Sequence, residues 1–359
     1  MKLQMRRLVG DAFRLKELVA RTRKCYEKYA SYGTIASKGD IPCDDLHSCN
    51  SEPHTNKQTI SPDDIYSKII FASDNIVAIN KPCGISVYGK RQASTSDVGE
   101  ESNKLSSTIH QYLPYLSQKL QCPEIEVGLS LKSFYSGVML LCKSQETKKK
   151  FEKCIACAAA QKEPFMSYLV ITLGVPVCPH NVPLEAYISR EFLHNRELST
   201  VSPKDIHSAR KEGSMILVNF SVKPLVVNKD TATSLVEVSI NKDRWEAVEV
   251  LMSHYLSPVL GDHIYSSRTY SVMGVPFSAS PYSVPPSTQK VPPQILEALA
   301  HNGHFSKDEP LPLFMHRYKV TLKRFPVKKS PPLVITGAPQ KEYMHALRCL
   351  GLYDPSMFL

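Results

Sequence analysis

Cys154 and Cys157 stand at the spacing that supplies one side of a tetrahedral zinc site. They lie within KKKFEKCIACAAAQ, which reads as a helix, and no second Cys or His pair stands nearby to complete a ligand set. Two buried helix cysteines are therefore the expectation. The ten cysteines follow no regular frame in a chain of 359 residues, too long for a disulfide scaffold, which points to a reducing compartment. The other chemical signal is charge. Lys and Arg number 44 against 34 Asp and Glu, a formal balance of +10. That excess favours a polyanionic partner, because each phosphate neutralised by Lys or Arg releases condensed counterions. A basic targeting segment on an ordinary solvated surface would give the same balance.

Positioning such groups needs a folded frame, and the hydrophobic pattern outlines one. The first thirty residues are rich in Arg and Lys with interspersed Leu, Val and Phe, as in an amphipathic mitochondrial presequence, although Asp11, Glu17 and Glu27 also suit a structured helix. Residues 31–60 read as a linker, and residues 61–359 as one domain. SKIIFASDNIVAINKPCGISVYG gives two short strands, and residues 91–107 a surface insertion. A helix is predicted from Thr108 to Leu120, a buried strand from Gly137 to Cys142, a helix from Gln145 to Gln161 and a strand from Met166 to Leu173. The middle of the chain is mostly strand, with ILVNFSVKPLVV and SLVEVSI the clearest runs. Asp243 to Leu256 then takes a helical period, with Trp245, Val248, Leu251, Met252 and Tyr255 on its apolar face. Arg268 to Pro293 reads as a long excursion, followed by the strand FMHRYKVTL and the helix KEYMHALRCLGL. Strands mixed with helices in one stretch imply an α+β domain. The longest apolar runs are too short to span a bilayer, so no membrane partner is expected.

Four segments, taken in order, carry a resemblance. They are IVAINKPCGISVYG at residues 76–89, SYLVITLG ending at Gly174, EVLMSHYLSPVLGDHIYSS from Glu249 to Ser267, and PLVITGAPQKEYMHALRCLGL near the end. Together they resemble the motifs of RluA-type pseudouridine synthases and cover most of residues 70–352. The resemblance implies a mixed, mainly antiparallel sheet with flanking helices and a central RNA-binding cleft. It also implies isomerisation of uridine to pseudouridine in RNA without any cofactor. The implied partner is mitochondrial mRNA or rRNA, in the mitochondrial matrix, with protein partners in RNA processing a further expectation.

In that family the nucleophilic Asp lies in a loop reading roughly HRLDKxTSG before a buried strand. The matching stretch here is LSLKSFYSGVMLLCK, and counting back from Ser136 and Gly137 puts Lys132 at the Asp position. An ammonium cannot supply a carboxylate's attack on the sugar. Counting back from Gly261 and Asp262 puts Glu249 where the family has the Arg that pairs with that Asp. The resemblance therefore predicts a reversed ion pair between Lys132 and Glu249, since a buried charge without its partner costs about 3 to 5 kcal/mol. A shifted alignment would change the partner. Tyr168 matches the family's active-site tyrosine, and an ordinary core tyrosine is its alternative. Asn80, Lys81, Asp262 and Tyr265 fall at pocket positions, the last two as supports for the loop beside the site. No Asp lies between Asp97 and Asp205, so Glu124 and Glu126 are the acids nearest the altered loop in sequence. Two functions remain open: an atypical catalyst, or an RNA-binding member without turnover that serves RNA assembly or stability. A protein-interaction scaffold that has lost RNA binding is a third reading, against which the basic charge argues.

Overall fold

Ser61 starts the first helix, α1 (Pro62–Ser67), through a capping box in which its hydroxyl accepts from the Asp64 amide and Asp64 accepts from the Ser61 amide. The structure is a computed structural model and describes residues 61–88, 108–203, 205–273, 275–300, 305 and 309–357. The targeting segment, the linker and the insertion at 91–107 lie outside these residues.

Strands β1 (Ile69–Ala72) and β2 (Ile76–Lys81) follow as an antiparallel pair, then α2 (Ile109–Lys119), β3 (Glu126–Leu129), β4 (Ser136–Cys142), α3 (Gln145–Ala160) and β5 (Met166–Leu173). Next come β6 (Leu184–Leu193), β7 (Arg196–Ser202), α4 (His207–Glu212), β8 (Met215–Asn228), β9 (Thr233–Ile240) and α5 (Ala247–His254). A small hairpin, β10 (Thr269–Val272) with β11 (Val275–Ser278), precedes α6 (Pro293–Ala300), β12 (Met315–Leu322), β13 (Leu333–Thr336) and α7 (Lys341–Cys349). The predicted excursion over Arg268 to Pro293 thus contains that hairpin.

Among the described residues, eleven strands form one sheet in the order β1-β2-β4-β12-β5-β9-β8-β6-β7, with β3 on β4 and β13 on β12. The unbroken apolar runs read as strands because both faces of the sheet are covered. On β4, Val138, Leu140 and Cys142 enter one core cluster with Tyr168, while Met139 and Leu141 meet Leu113 and Leu116 of α2 in another. On β5, Leu169 and Ile171 pack with Leu299 of α6 and Leu347 of α7.

The pairing of β4 with β12 is parallel and short, His316 opposite Ser136 and Arg317 opposite Gly137. Beyond those two rungs the strands part: β4 continues with β3, and β12 continues with β13. Gly137 permits the close approach. Its φ is +121°, and a Cβ there would lie 2.3 Å from the Arg317 carbonyl oxygen. His316, fully buried, bridges the Ser136 hydroxyl at 2.9 Å and the Gly337 carbonyl at 3.0 Å.

The helix predicted from Asp243 begins instead at Ala247. Trp245 and Glu246 both take left-handed backbone, with φ of 59° and 52°, so the chain turns sharply before the helix starts. Cys154 is buried, its thiol 2.9 Å from the Lys323 carbonyl, whereas Cys157 is exposed, because the two positions fall on different faces of α3.

Candidate functional site

Three segments converge where β4 and β12 part. The loop before β4 brings Lys132 and Tyr135, β5 brings Tyr168, and the turn into α5 brings Asp243, Glu246 and Glu249. Lys132 forms its ion pair with Glu246. This corrects the expected partner by one helical turn: Glu249 instead accepts from the Tyr135 hydroxyl. The Glu249 carboxylate still acts on Lys132 through space. Burial opposes the lysine's charge, but Glu249, Glu246 and Asp243 outweigh it and hold its pKa above the ordinary value.

Glu249 is buried, with its second carboxyl oxygen unpartnered in the structure. Burial pushes its pKa up to about 8; the Lys132 charge pulls the other way, and Glu246 pushes it up further. At neutral pH it is a carboxylic acid more than a carboxylate. Glu246 is the more open group: about a quarter of its side chain reaches solvent, and 29% of that of Lys132.

Tyr168 is fully buried, and its hydroxyl donates to Asp243 and receives Arg317 at 3.4 Å. Burial and the adjacent Asp243 charge raise its pKa well above normal. Its ring meets that of Tyr135 edge to face, centroids 6.5 Å apart. Arg317 is itself buried and neatly spent: Nε donates to the Val138 carbonyl at 2.7 Å and Nη2 to that of Ser130 at 2.8 Å. It thereby ties β12 to β4 and to the loop carrying Lys132.

Asp262 and Tyr265 support this cluster from behind. Asp262 accepts from the amides of Ile264 and Tyr265, each at 2.9 Å, and the Tyr265 hydroxyl donates to Glu246 at 3.2 Å. Gly261 makes the preceding turn beside Pro312, whose carbonyl oxygen would stand 1.9 Å from an added Cβ. The two remaining pocket expectations are corrected. Lys81 is fully buried and donates to the carbonyls of Pro82, Ile85 and Ser133 at 2.9, 2.9 and 3.1 Å, so it braces the Lys132 loop rather than facing a substrate. Burial, reinforced by the Arg317 charge, lowers its pKa to about 7. Asn80 donates to the Ala338 carbonyl at 2.8 Å and joins β2 to the approach to α7.

The chain is similar to the human mitochondrial mRNA pseudouridine synthase RPUSD3, at 27% identity over 299 residues that cover 81% of this chain and 78% of that protein. The bovine mitochondrial pseudouridylate synthase RPUSD4 matches at 25% identity over 302 residues, 80% of this chain and 70% of its own. The chain belongs to the RluA-type pseudouridine synthase family. Among solved structures, human RNA pseudouridylate synthase domain containing 4 shares the fold, with a TM-score of 0.57 at 18% identity, covering 82% of this chain and 97% of that one. No family model matches the chain. The α+β architecture with a mixed, mainly antiparallel sheet is thus the pseudouridine synthase fold.

Within this RluA-type chain, sequence reading did not reach Tyr135, Asp243, Glu246 or Arg317. Glu246 was within reach, being one helical turn before Glu249. An arginine inside the apolar run of β12 was also a signal, because such residues are almost never buried without partners. Glu126 is removed as a substitute acid: it pairs with Lys148 at 2.5 Å. Glu124 is exposed and has no part in this cluster.

Proposed function

We propose that this RluA-type protein acts on RNA and isomerises uridine to pseudouridine, with Glu246 supplying the carboxylate that Lys132 cannot. The reaction breaks the bond between N1 and C1′, turns the base and joins C5 to C1′; the hydrogen lost from C5 is balanced by one gained at N1. A carboxylate near C1′ stabilises the cationic character of the sugar or bonds to it transiently. The observation that carries the reading is the contact of Lys132 with a partly open carboxylate: the position lacking an acid has one resting on its side chain. Lys132 then keeps Glu246 ionised, Tyr265 orients it, and Tyr168 with Asp243 forms a proton-holding pair behind it.

The similarity to proteins named as mitochondrial supports mitochondrial RNA as substrate and the matrix as the compartment, mRNA being the substrate class in the name of the RPUSD3 relative. Residues 61–359 are taken as the pseudouridine synthase-like unit, and the isomerisation needs no redox or metal partner in this scheme.

Site-resolved pseudouridine mapping of mitochondrial RNA, from cells lacking the protein and rescued with wild type, Glu246→Gln or Tyr168→Phe, tests this. Loss of a defined site that wild type restores and Glu246→Gln does not is the expected result. A second reading, RNA binding without turnover, is favoured by Lys132 at the nucleophile position. It predicts crosslinking to RNA with no modified site changing.

A further inference from the structure

Trp245 is the single tryptophan of the chain, and it sits in the left-handed turn between Asp243 and the helix that begins after Glu246. Two guanidiniums stand at its ring. Arg190, from β6, lies 5.8 Å from the ring centroid, and Arg244 lies 5.4 Å from it. Sharing one indole holds the two charges as neighbours, although like charges repel. Both arginines are exposed, and Trp245 is half-buried against the main core.

The surroundings add charge of the same sign. Lys242 has its pKa lowered by burial and then by Arg210 and Arg244, which places four cations in one electrostatic neighbourhood. Arg190 has Glu197 at 2.9 Å and Arg210 has Asp205 at 2.7 Å. Lys242 and Arg244 are in no ion pair among the described residues. Self-repulsion of this kind is relieved by an anion with several acceptor oxygens, and two guanidiniums beside each other suit a phosphodiester, which each can grip with paired N–H groups.

We propose that Arg190, Arg244 and Trp245 form a backbone-phosphate clamp for the RNA strand beside the nucleotide that enters the site, with the indole fixing the two guanidiniums in place. The inference rests on the reading of the protein as RNA-acting. It adds where the strand is held: the clamp adjoins Glu246 in sequence, so a phosphate there lies next to the ion pair of Lys132. The strained backbone of Trp245 and Glu246 serves both, turning the ring outward to the arginines and the carboxylate inward to Lys132.

The test uses the full chain and a fluorescein-labelled single-stranded oligouridine RNA. Anisotropy reports binding, and the emission of the single tryptophan reports contact at the clamp. Binding should change the Trp245 emission. Arg190→Gln with Arg244→Gln should weaken binding at least about tenfold and flatten the dependence of log affinity on log salt by about 2, one for each lost phosphate contact. Trp245→Phe should keep most of the affinity and Trp245→Leu should not. The arginine pair lies on the surface, so this double variant remains informative if Trp245→Leu fails to fold. Unchanged affinity and slope in the double variant, with silent tryptophan emission, would overturn the clamp while leaving RNA action intact. No binding by wild type would overturn both readings. Displacement of the RNA by polyglutamate, or by inorganic phosphate at equal ionic strength, as readily as by unlabelled RNA would reassign the patch to acidic polypeptides or to free phosphate and sink the proposal.

Discussion

The Lys132 ammonium rests on Glu246, while Tyr135, three residues further along the same loop, holds Glu249. One short loop thus manages two acids of one helical turn in different ways. A cation faces the partly open acid, which stays charged, and a phenol faces the buried acid, which does not need to be.

Replacing Glu246 with Gln separates stability from chemistry. The ion pair is partly exposed on both sides, so its loss should cost no more than about 1 kcal/mol in urea denaturation. Modification of the target uridine should disappear. A variant that modifies RNA at the wild-type rate would remove Glu246 from the reaction.

Glu249 should make the protein sensitive to alkali. Its folded pKa is raised to about 8 from 4.5, so its stabilising contribution is full below about pH 4.5 and is lost as pH climbs through about 8. Between about pH 7 and about pH 9 the wild type should therefore lose more stability than Glu249→Gln, which has no proton to release there. Parallel curves of urea midpoint against pH for the two proteins would show that this carboxyl is not the titrating group.

Lys81→Met should destabilise by about 3 kcal/mol or more, because three carbonyls that the ammonium now satisfies are left without it. One of them belongs to Ser133, beside Lys132. Hydrogen exchange should therefore quicken at residues 132–135 in particular, and an increase spread evenly over the chain would argue against a local brace.

Gly137→Ala places a methyl group against the Arg317 backbone and requires an alanine at φ of +121°. A loss above about 2 kcal/mol is expected from strain and displacement together. Thermal melting of the variant against Gly128→Ala, whose added Cβ would meet the Cys142 sulfur at 2.8 Å, compares a backbone clash with a side-chain one. The Gly137 variant should melt lower.

Strands were the legible part of this sequence. Gly137–Cys142, Met166–Leu173 and the run ending at Ile240 are buried on both faces, and continuous apolar residues record that directly. The four-residue β3, which contains a glycine, left no such trace. The start of α5 was missed for another reason. Trp245 continues the helical spacing of Val248 and Met252, yet its backbone is left-handed, a choice that non-glycine residues make without any mark in composition. The site suffered most from this. Placing Asp243 and Glu246 depends on that turn, and placing Arg317 depends on β12 meeting β4 from across the chain. Lys132, Tyr168 and Glu249 were reached because the resemblance fixed their positions in sequence, though it did not fix which acid Lys132 would meet.

The short parallel contact of β4 with β12 gives the molecule a seam. On one side stand β1 to β4, on the other β5 to β9 with β12 and β13, and two rungs join them in the sheet. Lys132 and Tyr135 belong to the first side, and Asp243, Glu246 and Tyr168 to the second. The lysine and its acid therefore work as a latch across the seam, and any slight hinging of the two halves would be felt first as a change in the charge of that one contact.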